Sequence, residues 1–144
     1  MQNIVFWNGN KSSARQNYET ALLQACLKAT DHQYGSMQIR VDNTDYSNAE
    51  DEAHVFVNGA DILVTVAGNV KFKDQQKRVI PQPLTKGLLG YRLLLVRDES
   101  LTTFAQINSP QQLQALSIGI PDTWADAALF RHNQYKVIEH GTLD

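Results

Sequence analysis

Ile118-Gly119-Ile120-Pro121-Asp122-Thr123-Trp124-Ala125-Asp126-Ala127-Ala128-Leu129 decides the fold, because it reads as a short apolar strand that stops at a proline and passes into a helix. Thr123 with Asp126 three residues on is an N-cap pattern. The first N–H groups of such a helix have no partner inside it and lie at its positive end, so the turn can hold a carboxylate or another anion. Taken alone, the plainer reading is one more strand-to-helix turn. The elements on either side decide whether a ligand sits there.

Just upstream, Ser109-Pro110 with Gln112 marks a helix start with proline at the first helical position, and Leu113 and Leu116 form its short apolar face. Downstream, Tyr135 to Ile138 reads as a last strand. Further back, Leu84 to Val96 is a long strand-like run interrupted by Gly87 and Gly90, and glycine inside a strand pattern marks a bend or hinge. The N-terminal part is more regular. Ile4-Val5-Phe6-Trp7 is a first strand ending in the turn composition Asn8-Gly9-Asn10. Ser13 with Gln16 makes a capping box for a helix from about Ala14 to Thr30, with Tyr18, Leu22, Ala25, Cys26 and Ala29 at helical spacing.

Met37, Ile39 and Val41 alternate with Gln38, Arg40 and Asp42, the pattern of an outer strand. Ser47 with Glu50 is a second capping box, and Asn58-Gly59 stops the helix it opens. Ile62 to Val66 is a continuous apolar run of the kind a central strand shows. The β-α-β-α-β order predicts a parallel sheet with right-handed crossovers, in which ligands collect at the carboxyl ends of the strands. Those ends are Asn8-Gly9-Asn10, Asn43-Thr44 and Ala67-Gly68-Asn69. Residues Val70 to Gln82 read as an exposed connection that Pro81 and Pro83 stiffen.

Composition narrows the function classes. With 144 residues, 42% hydrophobic content, 19% charged content and a net charge of -2, the chain reads as a soluble globular protein. It is long enough for one core or for two small lobes. Nothing calls for nucleic acid: Lys71, Lys73, Lys77 and Arg78 are interrupted by Phe72 and Asp74, the pattern of a solvated loop. No apolar run approaches the roughly 20 residues that cross a bilayer. Met1-Gln2-Asn3 leads into a strand without the features of a signal peptide, so the protein is cytosolic or its leader has been removed.

Cys26 is the single cysteine, which excludes an internal disulfide and a thiolate zinc cage, and its apolar neighbours predict a buried inert thiol. His32, His54, His132 and His140 lack ligand spacing, so no metal site is expected. No cofactor fingerprint and no catalytic set are present. Trp7 reads as core or rim. For Trp124, ligand contact and plain packing weigh equally, since an aromatic beside a helix N-terminus serves either use.

In order, these elements resemble the bacterial extracytoplasmic solute-binding proteins of the amino-acid-binding type, family three. Val57-Asn58-Gly59-Ala60-Asp61-Ile62-Leu63 is similar to the family's helix end before its central strand. Ile80-Pro81-Gln82-Pro83-Leu84 stands where members have phenylalanine, serine, any residue, proline and tyrosine. Gly87 to Val96 looks like the strand that crosses the hinge. Ser109 to Ile120 looks like the short helix and strand that deliver the ligand-binding helix N-terminus, here Asp122 to Ala125. The arginine with which amino-acid-binding members clamp the ligand carboxylate is missing, its position falling near Asp74.

The resemblance implies an α/β fold of the periplasmic-binding-protein-like II type, with two lobes joined by a hinge and the second incomplete in this chain. Residues 1–86 are expected as the first lobe, 87–96 as the hinge-crossing strand and 97–144 as the first part of the second lobe. The implied function is binding of a small polar or anionic solute between the lobes for an ABC-type transporter or a sensor, without catalysis and without a cofactor. Trp7, Asn8, Ala67, Gly68, Arg92, Asp122, Thr123, Trp124 and Ala125 are the expected lining. Arg92 is either the cation for an anionic ligand or a solvated strand end. The partner would be a membrane permease or sensor and the location periplasmic. Unfinished lobe edges would leave strands able to pair with a second copy. The alternative is a cytosolic α/β enzyme or regulatory domain holding a phosphorylated small molecule at the strand ends.

Overall fold

Four consecutive apolar residues, Ile4 to Trp7, build the strand on which the first half of the protein is laid. A computed structural model of the chain describes residues 2–121 and 124–139. It divides into two compact units, residues 1–75 and 76–144. In the first, β1 (Gln2–Trp7), α1 (Ser13–Tyr34), β2 (Met37–Asp42), α2 (Ala49–Ala53) and β3 (Ile62–Leu63) follow one another. The sheet order is β2-β1-β3 and both pairings are parallel, with Phe6 opposite Val41 on one side and Ile62 on the other. This is the α/β arrangement that the alternation of elements predicts, with β2 at the outside.

The central strand is β1, not the 62–66 run. Ile62-Leu63 pairs on one edge, and Val64, Thr65 and Val66 leave the ladder. A continuous apolar run does not distinguish a central strand from one covered in another way. Asp61 extends the β1 contact by one residue: its N–H donates to the Val5 carbonyl at 2.8 Å and its carboxylate accepts the Val5 N–H at 2.8 Å. Phe6 and Trp7 are buried, and Trp7, Val55 and Phe72 form a core flanked by Tyr46, Phe56, Ala60 and Leu63. Trp7 and Tyr46 lie 5.9 Å apart between ring centres, and Phe56 meets Phe72 edge-on at 6.0 Å.

Both N-caps differ by one residue from expectation. Ser12 caps α1, accepting the Arg15 N–H, and Asn48, not Ser47, caps α2, accepting the Asp51 N–H at 2.8 Å. Helix α1 continues four residues past Thr30 to Tyr34. Cys26 is exposed rather than buried. Leu22, Leu23 and Leu27 are half-buried, and Cys26, which lies between Leu22 and Leu23 around the helix, is left uncovered.

The second unit holds α3 (Leu101–Ala105), α4 (Pro110–Gln114), β4 (Ser117–Ile120), α5 (Ala125–His132) and β5 (Lys136–Glu139). Strands β4 and β5 pair in parallel, and Ile120 and Ala127 are its buried apolar residues. Ser109 caps α4 with Pro110 at its start, as the sequence predicts. The Gly87–Val96 strand is not there. Gly87 is left-handed (φ 84°), Leu88–Gly90 form a 3-10 turn, and among the described residues Tyr91 to Val96 pair with no other strand. The division between units falls after Gln75, so residues 76–86, expected with the first lobe, belong to the second.

Candidate functional site

At the carboxyl ends of the parallel strands, the loop Asn8–Lys11 meets the loop that follows β2. Asn8 is fully buried and every polar group it carries is engaged. Its N–H donates to the Asp42 carbonyl at 2.7 Å, and its side-chain amide to the Gln16 carbonyl at 2.9 Å and the Thr20 hydroxyl at 3.2 Å. Its side-chain oxygen accepts the Lys11 ammonium at 3.0 Å, and its carbonyl the Gln16 amide at 3.0 Å. Gly9 passes so close to the second loop that a Cβ there would lie 1.9 Å from the Thr44 oxygen. That same oxygen accepts the Trp7 indole N–H at 2.9 Å.

Asn10 closes the joint. With φ at 56° it adopts the left-handed conformation that asparagine tolerates. Its N–H donates to the Asp45 carboxylate at 2.6 Å, its side-chain oxygen accepts the Tyr46 N–H at 2.7 Å, and its amide reaches the Tyr46 carbonyl and Glu52. Two loops far apart in sequence are thus held as one piece.

Beneath them lie three ion pairs, of which Lys11–Glu19 is buried on both sides. Lys11 Nζ is 2.6 Å from Glu19 Oε2, and Arg15 Nε is 2.7 Å from Glu19 Oε1; the Lys11 and Glu19 side chains are 5% and 4% exposed. Burial pushes the Lys11 ammonium below its ordinary pKa, and the hydrogen bond and charge of Glu19 oppose that shift. Lys71 Nζ lies 2.6 Å from Glu52 Oε2. Low local dielectric strengthens such contacts and makes losing one partner costly.

Asp42 shapes the second loop: its Oδ1 accepts the Thr44 hydroxyl at 2.6 Å and the Thr44 N–H at 3.0 Å. These two bonds hold its carboxyl below the usual carboxylate range. A group with a depressed native pKa contributes stability that is present above its unfolded pKa and lost as the pH falls through the native one. Asp42→Asn keeps an acceptor and removes the charge. Wild type and Asp42→Asn therefore differ in urea midpoint above about pH 4 and converge at lower pH. A difference that is constant from acid to neutral pH would overturn that account.

The expected lining residues take different places. Trp7 and Asn8 are buried with their polar atoms satisfied internally, so they shape the edge from below. Ala67 and Gly68 form an exposed turn after β3, with Gly68 at φ 74°. In the second unit, the Arg92 guanidinium pairs with Asp126 and also donates to the Leu89 carbonyl, so it is an exposed cation with partners rather than a free one. Trp124 stands half-exposed immediately before α5, its N–H donating to the Pro121 carbonyl at 3.1 Å, and Ala125 opens the helix. Asp122 and Thr123, with the expected Thr123 cap, lie outside the described residues.

Sequence reading missed Lys11, Glu19 and Glu52, and placed Asn10 at a strand end without its contacts. The spacing of Lys11, Arg15 and Glu19 by fours was visible, but nothing local signals that such a row is covered. Among the described residues no group of three His, Cys, Asp or Glu is placed to hold a metal ion, and no helix is long and apolar enough to cross a membrane. Comparison with protein-family profiles, with curated proteins and with solved structures finds no match to this chain.

Proposed function

We propose that this chain binds a small polar solute at the carboxyl edge of the β2-β1-β3 sheet, as part of a two-lobed periplasmic-binding-type protein, without chemistry of its own. The observation that carries the reading is the joint at that edge: the exposed Thr44 loop meets Asn8, Gly9 and Asn10, which hydrogen bonds hold in place, and the exposed Ala67-Gly68 turn follows β3 in the chain. Ligands of parallel α/β sheets bind outside the carboxyl ends of the strands, and a rim that does not have to reorganise loses less free energy on binding.

Charge favours a neutral or zwitterionic solute over the phosphorylated molecule of an enzyme or regulatory domain. A phosphate calls for an unpaired cation or a bidentate arginine, whereas Lys11 is neutralised by Glu19 and Lys71 by Glu52. On this reading the partner is a membrane permease or a sensor, and the location is periplasmic.

Thermal shift against a panel of amino acids, sugars, polyamines and small organic acids tests the proposal, with tryptophan fluorescence as the second readout. At least one solute raises the melting temperature, and Ala67→Leu, which adds bulk on the exposed turn, abolishes that rise while leaving the apo protein folded. Failure of every solute at millimolar concentration, or binding untouched by Ala67→Leu, would sink it.

A further inference from the structure

Residues Tyr91 to Arg97 behave as a strand without a partner. The backbone is extended at both ends, with φ and ψ of -83° and 140° at Tyr91 and of -71° and 150° at Arg97. Exposure alternates with a period of two: Tyr91 is 82% exposed, Leu93 95% and Leu95 98%, while Leu94 is 46% exposed and Val96 is half-buried. The Arg97 side chain, on the bare side, is 84% exposed, and that of Arg92, on the other, is 39% exposed and paired with Asp126. One face is therefore anchored in its own unit and the other is open. Among the described residues, no hydrogen bond uses the backbone N–H or C=O groups of Leu93 to Val96.

An extended run with open backbone groups and a bare apolar face is a template for another strand. We infer that this segment pairs with the same segment of a second copy, antiparallel and centred on Leu94, to form a two-fold symmetric dimer. In that register Leu93 of each copy lies opposite Leu95 of the other, and Tyr91 lies opposite Arg97. The apolar pair is self-complementary, as a two-fold interface requires. Arg97, which among the described residues pairs only with a solvated Glu99 at 3.6 Å, stacks its guanidinium on the tyrosine ring at both ends of the ladder. Centring between Leu94 and Leu95 instead would set Arg92 against Arg97, a like-charge pair that opposes it.

Edge-to-edge pairing covers the backbone groups and only the flanks of Tyr91, Leu93 and Leu95, less than the about 800 Å² per partner of a standard interface, so the dimer is weak and dissociates on dilution. This interface does not depend on the solute-binding reading.

Sedimentation velocity of the full chain from about 5 to about 500 μM, a range set by micromolar affinity, reads the association. The expected result is a reversible monomer–dimer shift that Leu93→Lys/Leu95→Lys abolishes, with circular dichroism unchanged because both side chains point to solvent. Crosslinking fixes the register in a Cys26→Ser background. Leu94→Cys copies face each other at about 4.5–5.5 Å between Cα atoms, within disulfide reach, and oxidise to a covalent dimer. Tyr91→Cys copies lie about 20 Å apart and do not. A chain that stays monomeric throughout, a dimer indifferent to the two lysines, or equal crosslinking at 91 and 94 would each overturn the proposal.

Discussion

Glu19→Ala lowers the stability of the first unit by about 3–5 kcal/mol, the cost of leaving a buried charge without its partner. Each Glu19 carboxylate oxygen holds one cation, Lys11 at 2.6 Å and Arg15 at 2.7 Å, and the Glu19 side chain is 4% exposed. Removing it leaves the Lys11 ammonium with the Asn8 side-chain oxygen, the Phe6 and Trp7 rings and the charge of Glu52, beside the like charge of Arg15. Lys11 then deprotonates or draws water in, and either response loosens the turn into α1.

Lys11→Met is milder, at about 1–2 kcal/mol, because Glu19 keeps Arg15 and loses one bond. The double variant Lys11→Met/Glu19→Leu recovers much of the Glu19→Ala loss, since an apolar pair of similar volume has no ions to desolvate. The coupling appears in a double-mutant cycle of urea midpoints followed by far-ultraviolet circular dichroism. Should Glu19→Ala cost under about 1 kcal/mol, the pair is solvated and this account of it fails.

Gly9→Ala costs about 3 kcal/mol or more, at or beyond the upper end of ordinary overpacking. The added methyl would sit 1.9 Å from the Thr44 oxygen, a backbone atom that cannot swing aside. Moving that carbonyl breaks the 2.9 Å bond from the buried Trp7 indole, whose N–H then lacks a partner. Gly68→Ala is the informative contrast. Its φ of 74° disfavours a side chain, but nothing lies within 4 Å of the new Cβ, so the loss is about 1–2 kcal/mol. The order of the two, read from thermal or urea unfolding, tests whether contact between the loops rather than backbone conformation sets the demand for Gly9. Equal losses would argue for conformation.

Much of the secondary structure was legible in particular residues. Ser109-Pro110 announced α4, the alternation of Met37, Ile39 and Val41 announced a strand at the sheet edge, and Ile4 to Trp7 announced β1. The errors share a cause. Ile62–Val66 and Gly87–Val96 are both apolar runs with strand-like composition, yet two residues of the first and none of the second join a ladder. Strand composition states a readiness to pair, and pairing needs an edge that the run itself does not contain. Cys26 was misjudged similarly: helical spacing placed it among leucines without saying how wide a stripe the sheet would cover.

The candidate site was legible as a location and not as a set of contacts. The carboxyl ends of the strands follow from element order, which is why Asn8, Ala67 and Gly68 are nominated there. That Trp7 is buried under the rim depends on Thr44, 37 residues away, and the anchoring of Asn10 depends on Glu52, 42 residues away. Arg92 reads as an available cation until Asp126, 34 residues on, is seen to hold it.

Sequence by itself determined β1, α1, β2, α2 and α4 to within a few residues and that the first sheet is parallel, because caps, turns and hydrophobic period act between near neighbours and short α/β connections force the strand direction. Tertiary structure alone decided that β1 is central, that Glu19 and Asn8 are buried, and that Tyr91 to Arg97 is left bare on one face. Those outcomes depend on which distant surface each residue meets, and burial and charge pairing are properties of that meeting rather than of either partner.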